Sequence, residues 1–558
     1  MIRRKNLVAN SYLSKKKHFE NRLEALKNGR SRLESEWKSV GSFLAPDTGC
    51  FNEPSSDKNS NKDPYYKQNI NTLPAYYVNN LATAMVSNLT PSRLKWFGLH
   101  VEDETREESI WLTNAMNRLY RMFSASGLYE NLYGAFKETI VYGCNMLGIQ
   151  RDFKKGFKFV PTTIGEYWIA EGQEGTISTV YRRFAMTNIQ LLEKFGKENL
   201  PANIIMALEK DNTEELHNVI HAVEPNPNYL PSFENYNNKP YISAYFLEDN
   251  NSEDFLDFRT TSYFPFMCAR WERVENNPYG IGVGRQIIGD VRSLQAFERD
   301  LAKASKKKID PPLKASNNLK NSLKDASANG VTYTDDPQGF TALYNVNYET
   351  REALENITRI TQRIYQLTYN DLFYALLNKD KSMSATEAQG IQQEKMTMLG
   401  SVVERLQTEF LKNLVETAFT IAYQDGWFGQ PPESLIGKDM RVEYTSLLAM
   451  SQDINDLSMV ERYLRFVSSV AGINPAAARK PDILAMCDFY AKRLGIDQSL
   501  NVPNEVVQEQ EALAAQQQQQ MQQAQIQQDN LVAQAKAAKE LSQANTNAGG
   551  ALEEMLGG

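Results

Sequence analysis

At 558 residues the chain is long enough to bury several cores, and 42% hydrophobic with 23% charged residues is ordinary for a globular protein. A formal net charge of −7 excludes a globally basic nucleic-acid binder, so any contact with DNA must come from local patches. The four cysteines, Cys50, Cys144, Cys268 and Cys487, form no CxxC pair and have no histidine at ligand spacing. Reduced thiols in a cytosolic assembly compartment, with no metal and no cofactor, are expected. The first thirty residues hold nine Lys/Arg against two Asp/Glu, but MIRRKNLVANSYLSKKKHF lacks a signal-peptide core. No run of about eighteen apolar residues occurs, so neither secretion by that route nor a membrane span is expected.

In chain order, residues 11–40 predict a charged helix, followed by a polar Pro/Ser/Asn-rich loop. LPAYYVNNLATAMVSNL predicts a second helix ending at Thr90-Pro91, with Trp96 and Phe97 opening a strand. Two helices are expected over 107–143, then a run of short strands up to Arg182-Arg183, then the helix MTNIQLLEKFG. Residues 196–240, rich in Asn and Pro, read as an insertion or mobile loop. Strands resume at YISAYFLE and SYFPFMCARWERV.

Residues 277–312 organise the rest. Tyr279, Gly280, Gly282 and Gly284 predict a flexible turn, and helix-forming residues follow until Asp310-Pro311-Pro312, about seven turns later. Ile287, Val291, Leu294 and Leu301 fall within about 40° of one line, a packing seam. Arg285, Arg292, Arg299, Lys303 and Lys306 form a stripe about 135° around the helix from it. A solvated face is the ordinary account of such a stripe; a face turned to a second, anionic space is the other.

After Pro312, short strands such as VTYT and GFTALYNV predict a small β-excursion, and a helix returns over 348–377 with Leu354, Ile357, Ile364, Leu367 and Leu372 at helical spacing. A polar turn containing Lys379 and Lys381 precedes a long helix that Ser384 or Thr386 can cap. MRVEYTSLLAMSQ predicts a strand and a helix start, 451–500 reads as helical, and the Gln/Ala-rich remainder as a disordered tail or a long helix.

Several of these strings, in this order, resemble the portal proteins, or head-to-tail connectors, of short-tailed bacteriophages. They are NLATAMVSNLTPSRLKWFGL, the YGxGxGRxxxxDxxxLxxxxRDxxKAxxKxxDPP pattern and SATEAQGIQQEKMTMLGSVVERLQTEFL. In the last, Ala385, Thr386, Glu387, Leu399, Gly400, Arg405, Leu406 and Glu409 match the family pattern; Leu447 departs from it where proline is common. The resemblance covers roughly residues 15–500. It implies a predominantly helical α+β portal fold that assembles as a ring. Residues 1–276 would be the N-terminal region and wing, 277–310 the first stem helix, 311–347 the clip and 348–378 the second stem helix. Residues 379–390 would hold the tunnel loop, 391–449 the long helix and wing return, 450–501 the crown, and 502–558 a tail or barrel helix.

The implied partners are other copies of the chain in a ring, usually of twelve, and double-stranded DNA contacted without regard to sequence. The terminase large subunit, major capsid and scaffolding proteins and tail adaptors complete the set, in the virion's portal vertex and the host cytoplasm during assembly. Arg292, Arg299, Lys303, Lys306, Lys379 and Lys381 are the candidates for approaching DNA, and Ile287, Val291, Leu294 and Leu301 for stem packing. Another ring-forming phage component, such as a tail adaptor, is the alternative. An enzyme is not expected: the glycines at 280, 282 and 284 fail the dinucleotide spacing, GxxxxGK[ST], HExxH and GxSxG are absent, and the His217/His221 pair falls in the irregular stretch.

Overall fold

The computed structural model describes residues 16–49, 51, 69–102, 104–231, 238–248, 254–275, 277–309, 313–315, 340–342, 350–370, 399–444, 447–472, 474, 480–493, 502 and 504–556. Helices and antiparallel sheets make it an α+β protein with helix predominant. Two compact units are present, Met1–Glu104 with Trp111–Ala449, and Thr105–Ile110 with Met450–Gly558.

In the first unit, α1 (Lys16–Leu44) and α2 (Leu73–Leu89) precede the short strand β1 (Phe97–Val101). Helix α1 divides its apolar stripe between two cores: Phe19 and Leu23 pack on a sheet, while Trp37, Val40 and Leu44 join the main core. Helix α2 starts with Pro74 in its first turn, where a missing N–H costs nothing. Trp96 and Phe97 are 1% exposed, so the strand start expected from the sequence is also a core anchor. Helix α3 (Arg106–Ala125), of which Trp111 onward belongs to this unit, and α4 (Leu128–Tyr142) follow, and Gly143 ends α4 in a left-handed conformation.

Next come β2 (Cys144–Asp152), β3 (Gly156–Thr162), β4 (Tyr167–Glu171) and β5 (Ile177–Thr187). Helix α5 (Asn188–Phe195) opens with a capping box in which Thr187 and Gln190 satisfy each other's backbone N–H. Then α6 (Ala202–Glu209), β6 (Leu216–Pro225), β7 (Tyr241–Leu247), β8 (Asp257–Thr261) and β9 (Phe266–Arg270) complete two sheets, in the orders β3-β2-β9 and β4-β5-β6-β7-β8.

The stretch 196–240 is therefore not simply an insertion or mobile loop: it supplies α6 and the central strand of the larger sheet. Its polar residues hid the strand. In β6 buried His221 is accommodated by a 2.9 Å hydrogen bond with the Ser243 hydroxyl and by stacking on Tyr245 at 3.9 Å, so it packs like an apolar residue. On a strand His217 and His221 stand about 13 Å apart, too far to share a metal ion.

The hairpin β10 (Glu272–Val274) and β11 (Asn277–Ile281) leads into α7 (Val283–Ile309). A two-stranded ribbon, β12 (Leu313–Ala315) with β13 (Phe340–Ala342), ties the end of α7 to the start of α8 (Thr350–Leu367). VTYT, Leu372, Lys379 and Lys381 lie outside the described residues. Then α9 (Gly400–Leu406), a π turn (Gln407–Leu411) and α10 (Lys412–Gln424) run on as one helix, and β14 (Met440–Tyr444) pairs with β1.

The second unit holds most of α11 (Leu447–Ala471), with α12 (Ile483–Arg493) and α13 (Asn504–Leu556). The Tyr490 hydroxyl donates to Glu461 at 2.9 Å, joining α12 to α11. Of the two accounts of the Gln-rich segment, the structure shows the long helix. Leu513, Met521, Ile526 and Leu531 are all more than half exposed on it.

Candidate functional site

The helix pair α7 and α8 leaves the body of the first unit where two backbones touch. A Cβ on Gly282 would lie 2.6 Å from both the Gly143 nitrogen and the Ile140 oxygen. One on Gly284 would overlap the Val141 oxygen and come within 2.6 Å of Val40 Cγ1. Gly280 takes a φ of +71°, open to glycine at little cost. The glycines thus make a close, fixed crossing between the end of α4 and the root of α7, and the flexible turn expected from them is not there. Residues 277–281 are strand, and the Gly143 oxygen accepts from Trp271 N at 2.9 Å, locking the same crossing.

Along α7, Ile287, Val291 and Leu294 are fully buried, while Leu301 is half-buried. The cation stripe is divided. Arg285 pairs with Glu36 at 3.1 Å and Arg292 donates to the Ser39 hydroxyl, so the first two cations lie on α1. Arg299, Lys303 and Lys306 are exposed and, among the described residues, have no ion-pair partner.

Helix α8 packs on α7 through Ile360 and Ile364, and Arg363 grips Asp290 with Nε to Oδ2 at 2.8 Å and a second bond from Nη2. Leu354 and Leu367, which share helical spacing with these residues, are 50% and 37% exposed.

Sequence reasoning missed Gln295. It is 3% exposed, accepts from Ile70 N at 2.8 Å and Asn71 N at 3.0 Å, and donates to the Asn71 oxygen at 2.6 Å. Asn71 in turn donates to Glu298 at 2.9 Å, so the entry to α2 is stitched to the middle of α7. A glutamine flanking an apolar seam carries no sequence signal of this.

Arg405 and Glu409, matched above as pattern residues, hold the strand that precedes this root. The Arg270 side chain is fully buried; its Nη2 reaches Glu409 at 2.6 Å, its Nε reaches the same carboxylate at 3.1 Å, and Nη1 reaches Glu171. Burial works against the charge, but the two carboxylates outweigh it and raise the guanidinium's pKa. Arg405 donates to the Trp271 oxygen.

The arrangement is a fixed root, a helix pair and an exposed segment whose cations Arg299, Lys303 and Lys306 have no ion-pair partner among the described residues. No group of three metal-ligating side chains occurs among the described residues, and no helix there is long and apolar enough to cross a membrane. The chain is 30% identical over 540 residues to the "Probable portal protein" of Bordetella phage BPP-1, covering 95% of this chain and 96% of that one. It is 29% identical over 504 residues to the "Portal protein" of Salmonella phage epsilon15, covering 89% and 90%. The family described as "Bacteriophage head to tail connecting protein" matches residues 16–501, and the chain belongs to that family.

Proposed function

We propose that this phage connector is the portal ring at one capsid vertex, the channel through which double-stranded DNA is packaged by terminase and later ejected. The observation that carries the proposal is the α7–α8 pair, whose cations are pinned near the root and, among the described residues, unpaired beyond it. A heterologous interface that closes on itself makes a ring, and each copy then contributes one such pair. Passage without regard to sequence needs phosphate contacts that are weak, repeated and exchangeable. A few cations per copy, in a chain of net charge −7, meet that need.

In this proposal α7 and α8 are the stem and the β12–β13 ribbon belongs to the clip. Residues 1–276 form the N-terminal region and wing, 391–449 the long helix and wing return, 450–501 the crown, and 502–558 the tail or barrel helix. Lys379 and Lys381 approach DNA from a tunnel loop at 379–390. The ring is a dodecamer, assembled in the host cytoplasm with capsid and scaffolding proteins. It docks the terminase large subunit first and tail adaptors later. The chain itself hydrolyses nothing.

Electron microscopy of the purified full chain, viewed down the particle axis, tests this. Rings with a central hole are expected. Monomers that persist after scaffold and capsid proteins are added would exclude it.

A further inference from the structure

Far along the chain from the stem candidates, the five-stranded sheet presents a single cross-strand row: Arg182 opposite His221, His221 opposite Tyr245, and Tyr245 opposite Asp257. Phe184 and Arg259 lie two residues along from Arg182 and Asp257, and therefore on the same face. Helix α5 brings Lys194 to that face, its ammonium 4.5 Å from the Tyr245 ring centre and 5.1 Å from those of Phe184 and Phe195.

The charges there do not balance. The Nε of Arg182 is buried and, among the described residues, has no hydrogen-bond partner; its guanidinium rests over Phe184 at 5.0 Å. Lys194 makes no ion pair among the described residues. Arg259 has Asp257 at 3.5 Å, and Glu166, half-buried, stands near Arg182 without closing an ion pair with it. Lys158 of β3 adds a further cation whose charge acts on Lys194. Desolvation, then the charges of Arg182, Lys158 and Arg259, hold the Lys194 amine down to about 8. Buried His221 is pushed well below its ordinary value by its burial and then by Lys194, Arg182 and Arg259.

We propose that this niche is a binding site for a phosphate-class oxyanion, held by Arg182 and Lys194 with Arg259 and Lys158 at its rim. Buried polar groups in folded proteins are hydrogen-bonded, and the enclosed Nε of the partly buried Arg182, without an acceptor among the described residues, marks the place of a missing one, with the exposed Lys194 beside it. A carboxylate presents two oxygens in one plane and satisfies one guanidinium fork. Donors that arrive from the strands and from the helix that packs on them match the tetrahedral oxygens of a phosphate. The site is separate from the stem cations, and its success or failure leaves the portal proposal untouched.

The test is calorimetric titration and thermal unfolding of the full chain in inorganic phosphate against chloride at equal ionic strength, with a short DNA duplex as a second arm. Phosphate is expected to bind and to raise the melting temperature above that in chloride, with Arg182→Gln and Lys194→Met each weakening affinity about tenfold or more. Binding of the duplex alone, lost in both variants, would assign the phosphate to a nucleic-acid backbone. Should the partly buried Arg182→Gln fail to fold, Lys194→Met, Lys158→Met and Arg259→Gln carry the same comparison from exposed positions. No difference between phosphate and chloride together with no duplex binding, or affinity unchanged in the variants, overturns the proposal.

Discussion

Arg270, buried at the end of β9, is held by Glu409 from the π turn of the long helix, so the strand that leads to the α7 root is fastened to a segment 139 residues away. Removing one member of a buried pair strands the other charge, whereas replacing both with apolar groups does not. Glu409→Ala is expected to lower stability by about 3 kcal/mol in urea unfolding, and the double variant Arg270→Met with Glu409→Met to recover much of that loss. A loss for the single variant below about 0.5 kcal/mol would show that Glu171 alone suffices.

The glycine crossing makes a prediction against intrinsic propensity. Alanine in place of glycine inside a helix ordinarily stabilises by up to about 1 kcal/mol. At Gly284 the added methyl meets the Val141 oxygen and Val40, so Gly284→Ala is expected to destabilise by about 2 kcal/mol or more. At Gly289, where a Cβ meets nothing within 4 Å, the same change should be neutral or stabilising. Equal effects at the two positions, read from chemical denaturation, would contradict the crossing.

Charge reversal of Arg299, Lys303 and Lys306 together should leave rings intact by microscopy and lower DNA packaging in an in vitro reaction by about tenfold or more, with weaker salt dependence. Reversal of Arg285 should cost stability first, because that residue pairs with Glu36. Packaging and assembly both unaffected by the triple change would remove these residues from the channel and from intersubunit contacts.

Glu138 gives a pH signature. Burial raises its carboxyl to about 8 against hydrogen bonds from Thr163 and Ile164 N that favour ionisation. The folded state therefore keeps a proton that the unfolded state releases near the ordinary carboxylate range. Unfolding releases a proton between about 4.5 and 8, so this group's contribution to stability falls as pH rises through that window. Glu138→Gln mimics the protonated acid and should flatten the decline, with a gain on the order of 4 kcal/mol at pH 8. An identical pH profile in both proteins would mean that Glu138 is ionised throughout.

What the sequence shows well is what local rules control. Ile287, Val291 and Leu294 repeat at helical spacing and are buried; Pro74, Thr187 and Gly143 mark helix ends where capping chemistry puts them. What it hides depends on neighbours distant in the chain. One stripe of like-spaced cations on α7 becomes two sets because α1 lies along only its first part. Arg182 and Arg183 look alike in sequence, yet strand alternation sends Arg183 to the other face, over Trp168 at 5.6 Å, and leaves Arg182 in the phosphate niche. Gln295 and β6 are illegible because their polar side chains are satisfied inside the fold, Gln295 by the main chain of Ile70 and Asn71 and His221 by the Ser243 hydroxyl.

The close crossing at Gly282 and Gly284 also acts as a fulcrum. The root of α7 cannot slide or roll, the Gln295 and Glu298 stitches steady the helix midway, and the remaining turns, 299–309, overhang by about 16 Å. Tilting that overhang by about 5° would carry its tip roughly 1.4 Å sideways with no displacement at the core. Because the β12–β13 ribbon joins the two helix ends and Asp290 holds Arg363, a load at the tip reaches the body through both helices at once. The contacts are those of a braced lever: exposed along Arg299, Lys303 and Lys306, held where the chain's main core begins.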